Sequence, residues 1–270
     1  MAGARVGEYA GVKVAVCVKQ IPDPATPGRL DPATRTLARG GKLILDDSDA
    51  YGVEMGLQLV DAAGGGEVVL VSMGPRGETG GLRTALAMGA GRAVLVSDEA
   101  LVGSDALATA KVLAAAIGRV APDLVLAATE STDGYTGTTP VQLAELLGLP
   151  SITFAKRVEV VAGQLRVQRQ TEAGYDEVTC PLPALVTVTA GVVEPRYPSF
   201  KGIMAAKTKP VEVLTVADLG LDAAVVGWAG ARQEITDVAP SEQRQAGEVV
   251  EDQGDAHEAI IRFLERVKVL

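Results

Sequence analysis

Residues 67–128 read EVVLVSMGPRGETGGLRTALAMGAGRAVLVSDEALVGSDALATAKVLAAAIGRVAPDLVLAA, and their rhythm decides the fold. Three short aliphatic runs, Glu67–Met73, Arg92–Val96 and Leu124–Ala128, alternate with two longer segments of helical character, Glu78–Met88 and the Ala-rich Asp105–Val120. Runs without polar alternation bury both faces. Helical segments between them are long enough to serve as crossovers, so the pattern predicts a parallel sheet with helices on both sides.

The same pattern extends to either side. Val12–Val18 is a β-branched run that reads as a buried opening strand, followed by a Pro- and Gly-rich loop from Ile21 to Gly28 and a helix over Asp49–Ala62. Downstream, a polar loop leads into a helix at Pro140–Leu147. From Lys156 the period changes. KRVEVVAGQLRVQRQ alternates apolar and polar residues around Ala162-Gly163, the signature of a hairpin, and DEVTCPLPALVTVTAG adds further strand-like sequence. These strands are expected to extend the parallel sheet in antiparallel fashion. A loop rich in Pro and Lys, Glu194–Pro210, then precedes a last strand, Val211–Val216.

After Leu221 the composition shifts. Glu234 to Glu258 holds eight acidic residues and one basic residue, Arg244. Such a stretch buries little and reads as an extended arm. It ends in HEAIIRFLERVKVL, where Ile260, Ile261, Leu264, Val267 and Val269 form an apolar stripe at helical spacing. The expected organisation is an α/β domain over residues 1–221, with a Pro- and Lys-rich loop near 194–210. An acidic arm and amphipathic helix follow over residues 222–270.

Charge and composition narrow the function. The net charge of −9 comes without a long basic run, which argues against a nucleic-acid partner. Cys17 and Cys180 sit in apolar runs outside any C-x-x-C pair and read as buried small hydrophobes. One histidine, His257, leaves no material for a His-dependent triad or a His-rich metal site. The first residues lack the apolar core of a signal peptide, and no run of about 18 apolar residues occurs, so the expected compartment is a reducing cytoplasm.

The segment 127–147, AATESTDGYTGTTPVQLAELL, carries the ligand chemistry. An apolar strand enters a loop of hydroxyls, glycines and one Asp, and a helix opens at Thr139-Pro140, with Thr139 as the expected N-cap. A helix start offers free N–H groups and a positive dipole end to an anion. Ser131, Thr132, Thr136, Thr138 and Thr139 add hydroxyl donors, and Gly134 and Gly137 permit close backbone approach. Asp133 serves either to accept from a ribose hydroxyl or to staple the loop. There is no Walker lysine and no G-x-G-x-x-G fingerprint.

Several segments in order resemble the beta subunit of electron-transfer flavoproteins: VCVKQIPDP, VSMGP, RTALAMGA, DLVLAATESTDGYTG and, most specifically, LPALVTVTAGVVEPRYPSFKGIMAAKTKP at 182–210. The resemblance runs from about Val12 to Leu221. It implies a fold like the adenine nucleotide alpha hydrolases. It also implies a heterodimer whose alpha subunit holds most of an FAD while the beta subunit holds a structural AMP. Electrons pass from flavin dehydrogenases, often the acyl-CoA dehydrogenases of fatty acid oxidation, to a membrane quinone oxidoreductase. No residue of the beta subunit makes or breaks bonds.

Transferred to this sequence, the resemblance lines the AMP pocket with Cys17, the Asp46–Asp49 backbone, Met73 beside the adenine, and the Glu130–Thr139 loop around ribose and phosphate. The docking loop becomes Arg196 to Lys207, with Tyr197 nearby, Phe200 as the apolar knob, and Ile203 and Met204 supporting it. Asp46-Asp47 stands where Asn-Pro is common, which sets two carboxylates beside an anionic nucleotide. Phe200 stands where Leu is common, which implies a different cognate dehydrogenase. Two alternatives remain: an electron-bifurcating type with a second FAD in place of AMP, and a non-redox adenine-nucleotide module.

Overall fold

The computed structural model describes residues 11–161, 163–239, 247 and 249–270. The chain forms β1 (Val12–Cys17), β2 (Gln20–Pro22), β3 (Leu43–Leu45), α1 (Asp47–Ala62), β4 (Gly66–Gly74), α2 (Gly80–Met88), β5 (Arg92–Ser97), α3 (Ala106–Val120), β6 (Leu124–Ala128) and α4 (Thr139–Leu147). It continues through β7 (Ser151–Val161), β8 (Gln164–Thr171), β9 (Gly174–Pro181), β10 (Ala184–Val188), α5 (Phe200–Ala206), β11 (Val211–Leu214), α6 (Gly227–Gly230) and α7 (Ala256–Arg266). Two compact units result, residues 1–234 and residues 235–270.

The first unit is an α/β fold on one large sheet, ordered β11-β5-β4-β1-β6-β10-β7-β8-β9. The pairings from β11 to β7 are parallel, and β7-β8 and β8-β9 are antiparallel. Two apolar layers flank the sheet. Val14 and Val16 of β1 pack with Val53, Leu57, Leu82 and Leu86 from α1 and α2, while Ala15 faces Val112, Ala116, Ile117 and Leu143 from α3 and α4. Alternate residues of one strand thus enter opposite layers, which is why the strands show no polar alternation.

The structure corrects four expectations. First, the loop after β1 is pinned by a two-stranded antiparallel pair, β2 with β3; strands of three residues leave too little periodicity to recognise. Second, β10 does not extend the antiparallel edge but inserts in parallel between β6 and β7. Its five residues are all buried, as an interior strand requires. Third, the loop Glu194–Pro210 contains α5, which begins at Phe200 and is capped by the Ser199 side chain accepting from the Gly202 N–H. Fourth, the cysteines are half-buried rather than fully inside.

The 162–163 hairpin joins β7 to β8 as expected, with Gly163 at φ +77°; Ala162 lies outside the described residues. In the second unit, α7 carries Ile260, Ile261 and Leu264 at helical spacing and an i,i+4 pair between Arg262 and Glu258. Residues 240–246 and 248 of the acidic arm lie outside the described residues. Among the described residues, no helix is long and apolar enough to cross a membrane.

Candidate functional site

The carboxyl ends of β4, β1 and β6 are adjacent, and open α/β sheets bind ligands at such ends. Met73 is the penultimate residue of β4, Cys17 ends β1, and the Glu130–Thr139 loop follows β6. The N-terminus of α1 enters the same region through Asp46. The structure therefore gathers Cys17, Asp46, Asp49, Met73 and the loop residues at one end of the sheet.

Asp46 is fully buried, and its carboxylate organises the site. It caps α1 by accepting from the Ser48 N–H at 3.0 Å, and it accepts from the Thr132 N–H at 2.8 Å and the Thr132 hydroxyl at 3.1 Å. One carboxylate thereby holds the helix start against the loop. Its lone pairs are directed at protein donors. Asp49, one turn further on and also buried, accepts from the Lys19 N–H at 2.6 Å. Burial pushes its carboxyl well above the ordinary carboxylate range, with the Asp46 and Asp133 charges adding to the effect. Burial and the neighbouring Asp49 push the Cys17 thiol up to about 12, so this sulfur is not a thiolate nucleophile at neutral pH.

Asp133 has a side chain only 5% exposed and lies between two cations, Lys19 Nζ at 2.6 Å on one oxygen and the Arg39 guanidinium on the other. Burial opposes its ionisation, but the two cations outweigh burial and hold the carboxyl below its ordinary value. Of the two expected roles for Asp133, loop-stapling is the one its contacts display. Lys19 Nζ also donates to the Ser131 hydroxyl at 3.1 Å. A Cβ added at Gly134 would lie 3.2 Å from Ser131 Oγ, 3.6 Å from Lys19 Nζ and 3.8 Å from Thr136 Oγ1. Three polar atoms converge on the space that this glycine leaves open. Gly137 adopts φ +68° and Tyr135 adopts φ +48°, both left-handed, so the loop folds tightly before α4. The helix starts one residue earlier than expected: Thr138 is the N-cap, its side chain makes no capping bond, and Pro140 remains in the first turn.

These features suit an anionic group. Hydroxyls at Thr136 and Thr138 are exposed, the α4 N-terminus lies at the loop's end, and the carboxylates are already paired within the protein.

The second cluster surrounds α5. Tyr197 is 94% and Phe200 80% exposed, and Ile203, Met204 and Lys207 are also exposed. Arg196, also exposed, is engaged by α1: Nε donates to Glu54 Oε2 at 2.7 Å and Nη2 to Oε1 at 3.0 Å. Glu54 is buried on α1, and the guanidinium holds its carboxyl below the ordinary range against the opposing effect of burial. On the other side, the Arg83 guanidinium donates to the carbonyls of Ala206 and Lys209, both at 2.7 Å. Lys209 Nζ donates to the Leu86 and Ala90 carbonyls at 2.9 and 2.7 Å, a cation at the C-terminus of α2. α5 presses close to α2, because a Cβ at Gly202 would stand 2.4 Å from the Ala87 carbonyl oxygen.

Sequence reasoning missed Lys19, Arg39, Glu54, Arg83 and Lys209. Arg83 falls within RTALAMGA and Lys209 within the signature stretch, but the pairings are long-range and no local pattern encodes them.

Comparison with known proteins agrees with this architecture. Residues 34–219 match the family model described as the electron transfer flavoprotein domain. The chain is 40% identical over 174 residues to the electron transfer flavoprotein subunit beta of Mycobacterium leprae, a match covering 64% of this chain and 65% of the relative's length. It is 35% identical over 258 residues to the same subunit of Megasphaera elsdenii, covering 93% and 95%. It is also 35% identical over 218 residues to the caffeyl-CoA reductase-Etf complex subunit CarD of Acetobacterium woodii, covering 80% and 83%.

Proposed function

Since this chain belongs to the electron transfer flavoprotein family, among its beta subunits, we propose that it pairs with an alpha subunit and binds AMP structurally in the Glu130–Thr139 loop. In this proposal the pocket is completed by Cys17, the start of α1 and Met73. FAD at the heterodimer, held mainly by the alpha subunit, supplies the electron chemistry. The residues described above orient and dock, and none of them makes or breaks a bond. Donor dehydrogenases, acyl-CoA dehydrogenases among them, dock on Tyr197, Phe200, Ile203 and Met204, and a membrane quinone oxidoreductase accepts the electrons.

The observation that carries this proposal is the pairing of every buried site carboxylate with protein donors, which leaves the hydroxyls and the helix start open to an anion. Similarity to a subunit of a caffeyl-CoA reductase complex favours a second reading, in which a second FAD replaces AMP and the protein bifurcates electrons. Co-purification with the alpha subunit of the same organism, followed by quantification of released nucleotides, separates the two. One FAD and one AMP per heterodimer supports the shuttle. Two FAD supports bifurcation. A chain that ignores the alpha subunit removes both.

A further inference from the structure

We infer that Lys19 and Arg39 form a cation clamp that selects a phosphorylated ligand over its unphosphorylated counterpart, with the segment between β2 and β3 delivering the arginine. This rests on the adenine-nucleotide reading of the Glu130–Thr139 loop. Lys19 follows β1 and Arg39 precedes β3, so they come from opposite ends of one excursion of the chain, and Asp133 draws their side chains to one point. Segment 23–42 is tied down there from outside as well, because the Arg76 guanidinium donates to the Arg39 carbonyl.

Neither cation is used up by this pairing. An ammonium has three donors, and Lys19 gives one to Ser131 Oγ and one to Asp133. A guanidinium has five, and Arg39 gives Asp133 one from Nη2. Their side chains remain 40% and 32% exposed, whereas the carboxylate between them is covered. What the site presents to a ligand is therefore positive charge, beside the open space at Gly134 where Ser131 Oγ, Thr136 Oγ1 and Lys19 Nζ converge. A phosphoryl group has enough acceptor oxygens to engage an ammonium, a guanidinium and two hydroxyls together. Asp133 positions the cations and does not contact the ligand.

The test is calorimetric titration of the full-length chain, freed of nucleotide, with AMP, adenosine and pyrophosphate. It compares wild type with Lys19→Met, Arg39→Gln and Arg39→Lys, all checked for native secondary structure by circular dichroism at the temperature of the titration. The expected result is a wild type that prefers AMP to adenosine by about ten-fold or more. Lys19→Met and Arg39→Gln each lose most of that preference with adenosine affinity unchanged, and Arg39→Lys retains part of it. A preference that survives both charge-removing variants overturns the clamp. Arg39-dependent pyrophosphate binding without any response to adenine keeps the clamp and overturns the adenine reading. If neither AMP nor pyrophosphate binds, both are overturned.

Discussion

Gly134 and Asp49 illustrate how single residues set the properties of the site. Gly134→Ala places a methyl group 3.2 Å from Ser131 Oγ, in the space where the loop's donors meet. The expected outcome is weaker AMP binding, about ten-fold, with little change in melting temperature, because the residue is exposed and its loop is not part of the core. Titration of AMP into the purified variant checks it. Asp49 works through protonation. Its folded-state carboxyl is raised, so its favourable contribution is complete below the unfolded value near about pH 4 and is lost as pH rises through the folded value. Asp133 and Glu54 are lowered and act with the opposite sign, stabilising above that pH and failing as acid neutralises them. Asp49→Asn keeps an acceptor for the Lys19 N–H and removes the titration. Its melting temperature is expected to exceed the wild type's at pH 8 and to match it at about pH 4; a constant difference across the series would contradict the assignment. Cys17 was legible as an apolar residue, but its thiol's resistance to ionisation was not, because it depends first on burial by the assembled fold and then on a carboxylate 32 positions away.

At the scale of elements, α1 connects the two clusters. Its N-cap Asp46 grips the Glu130–Thr139 loop, and Glu54, two turns along, grips Arg196 ahead of α5. Glu54→Gln is expected to destabilise the protein by roughly 1–3 kcal/mol, toward the lower end because the Arg196 side chain is partly in water and its charge is screened. The same change should increase protease cleavage near 194–200 before global unfolding, which limited proteolysis below the melting temperature would measure. The helices and buried strands of the first half were legible in the sequence because each repeats its apolar period over several residues. β2, β3 and α5 were not: they span three, three and seven residues, and their positions are set by long-range partners such as Gln20 with Gly81 and Arg83 with Ala206. The place of β10 was hidden for another reason. Apolar runs announce a buried strand without saying which two strands it lies between.

For the whole molecule, an exposed aromatic on a braced helix and a net charge of −9 are the surface features that bear on the proposed docking. Phe200→Ala should leave folding and AMP content unchanged while weakening dehydrogenase docking by roughly 2 kcal/mol, about thirty-fold. Stopped-flow reduction of the heterodimer's flavin by the donor dehydrogenase reads this directly, and an unchanged rate would remove Phe200 from the interface. Both clusters were recognised from the sequence as short signatures, whereas the ion pairs that hold them had to be seen in three dimensions.

The insertion of β10 between β6 and β7 has a consequence for synthesis. A ribosome releases β6 by residue 128 but cannot supply β10 until residue 188 has emerged. Throughout that interval one flank of β6 is an unsatisfied, wholly apolar ladder, the kind of surface on which nascent chains stick to one another. A chain terminated after Gly148 should accumulate as aggregate, and one terminated after Gly220, with β10 and β11 in place, should stay soluble. The order in which the strands are made therefore differs from the order in which they lie side by side, and the interval between the two is the time for which a chaperone would be needed.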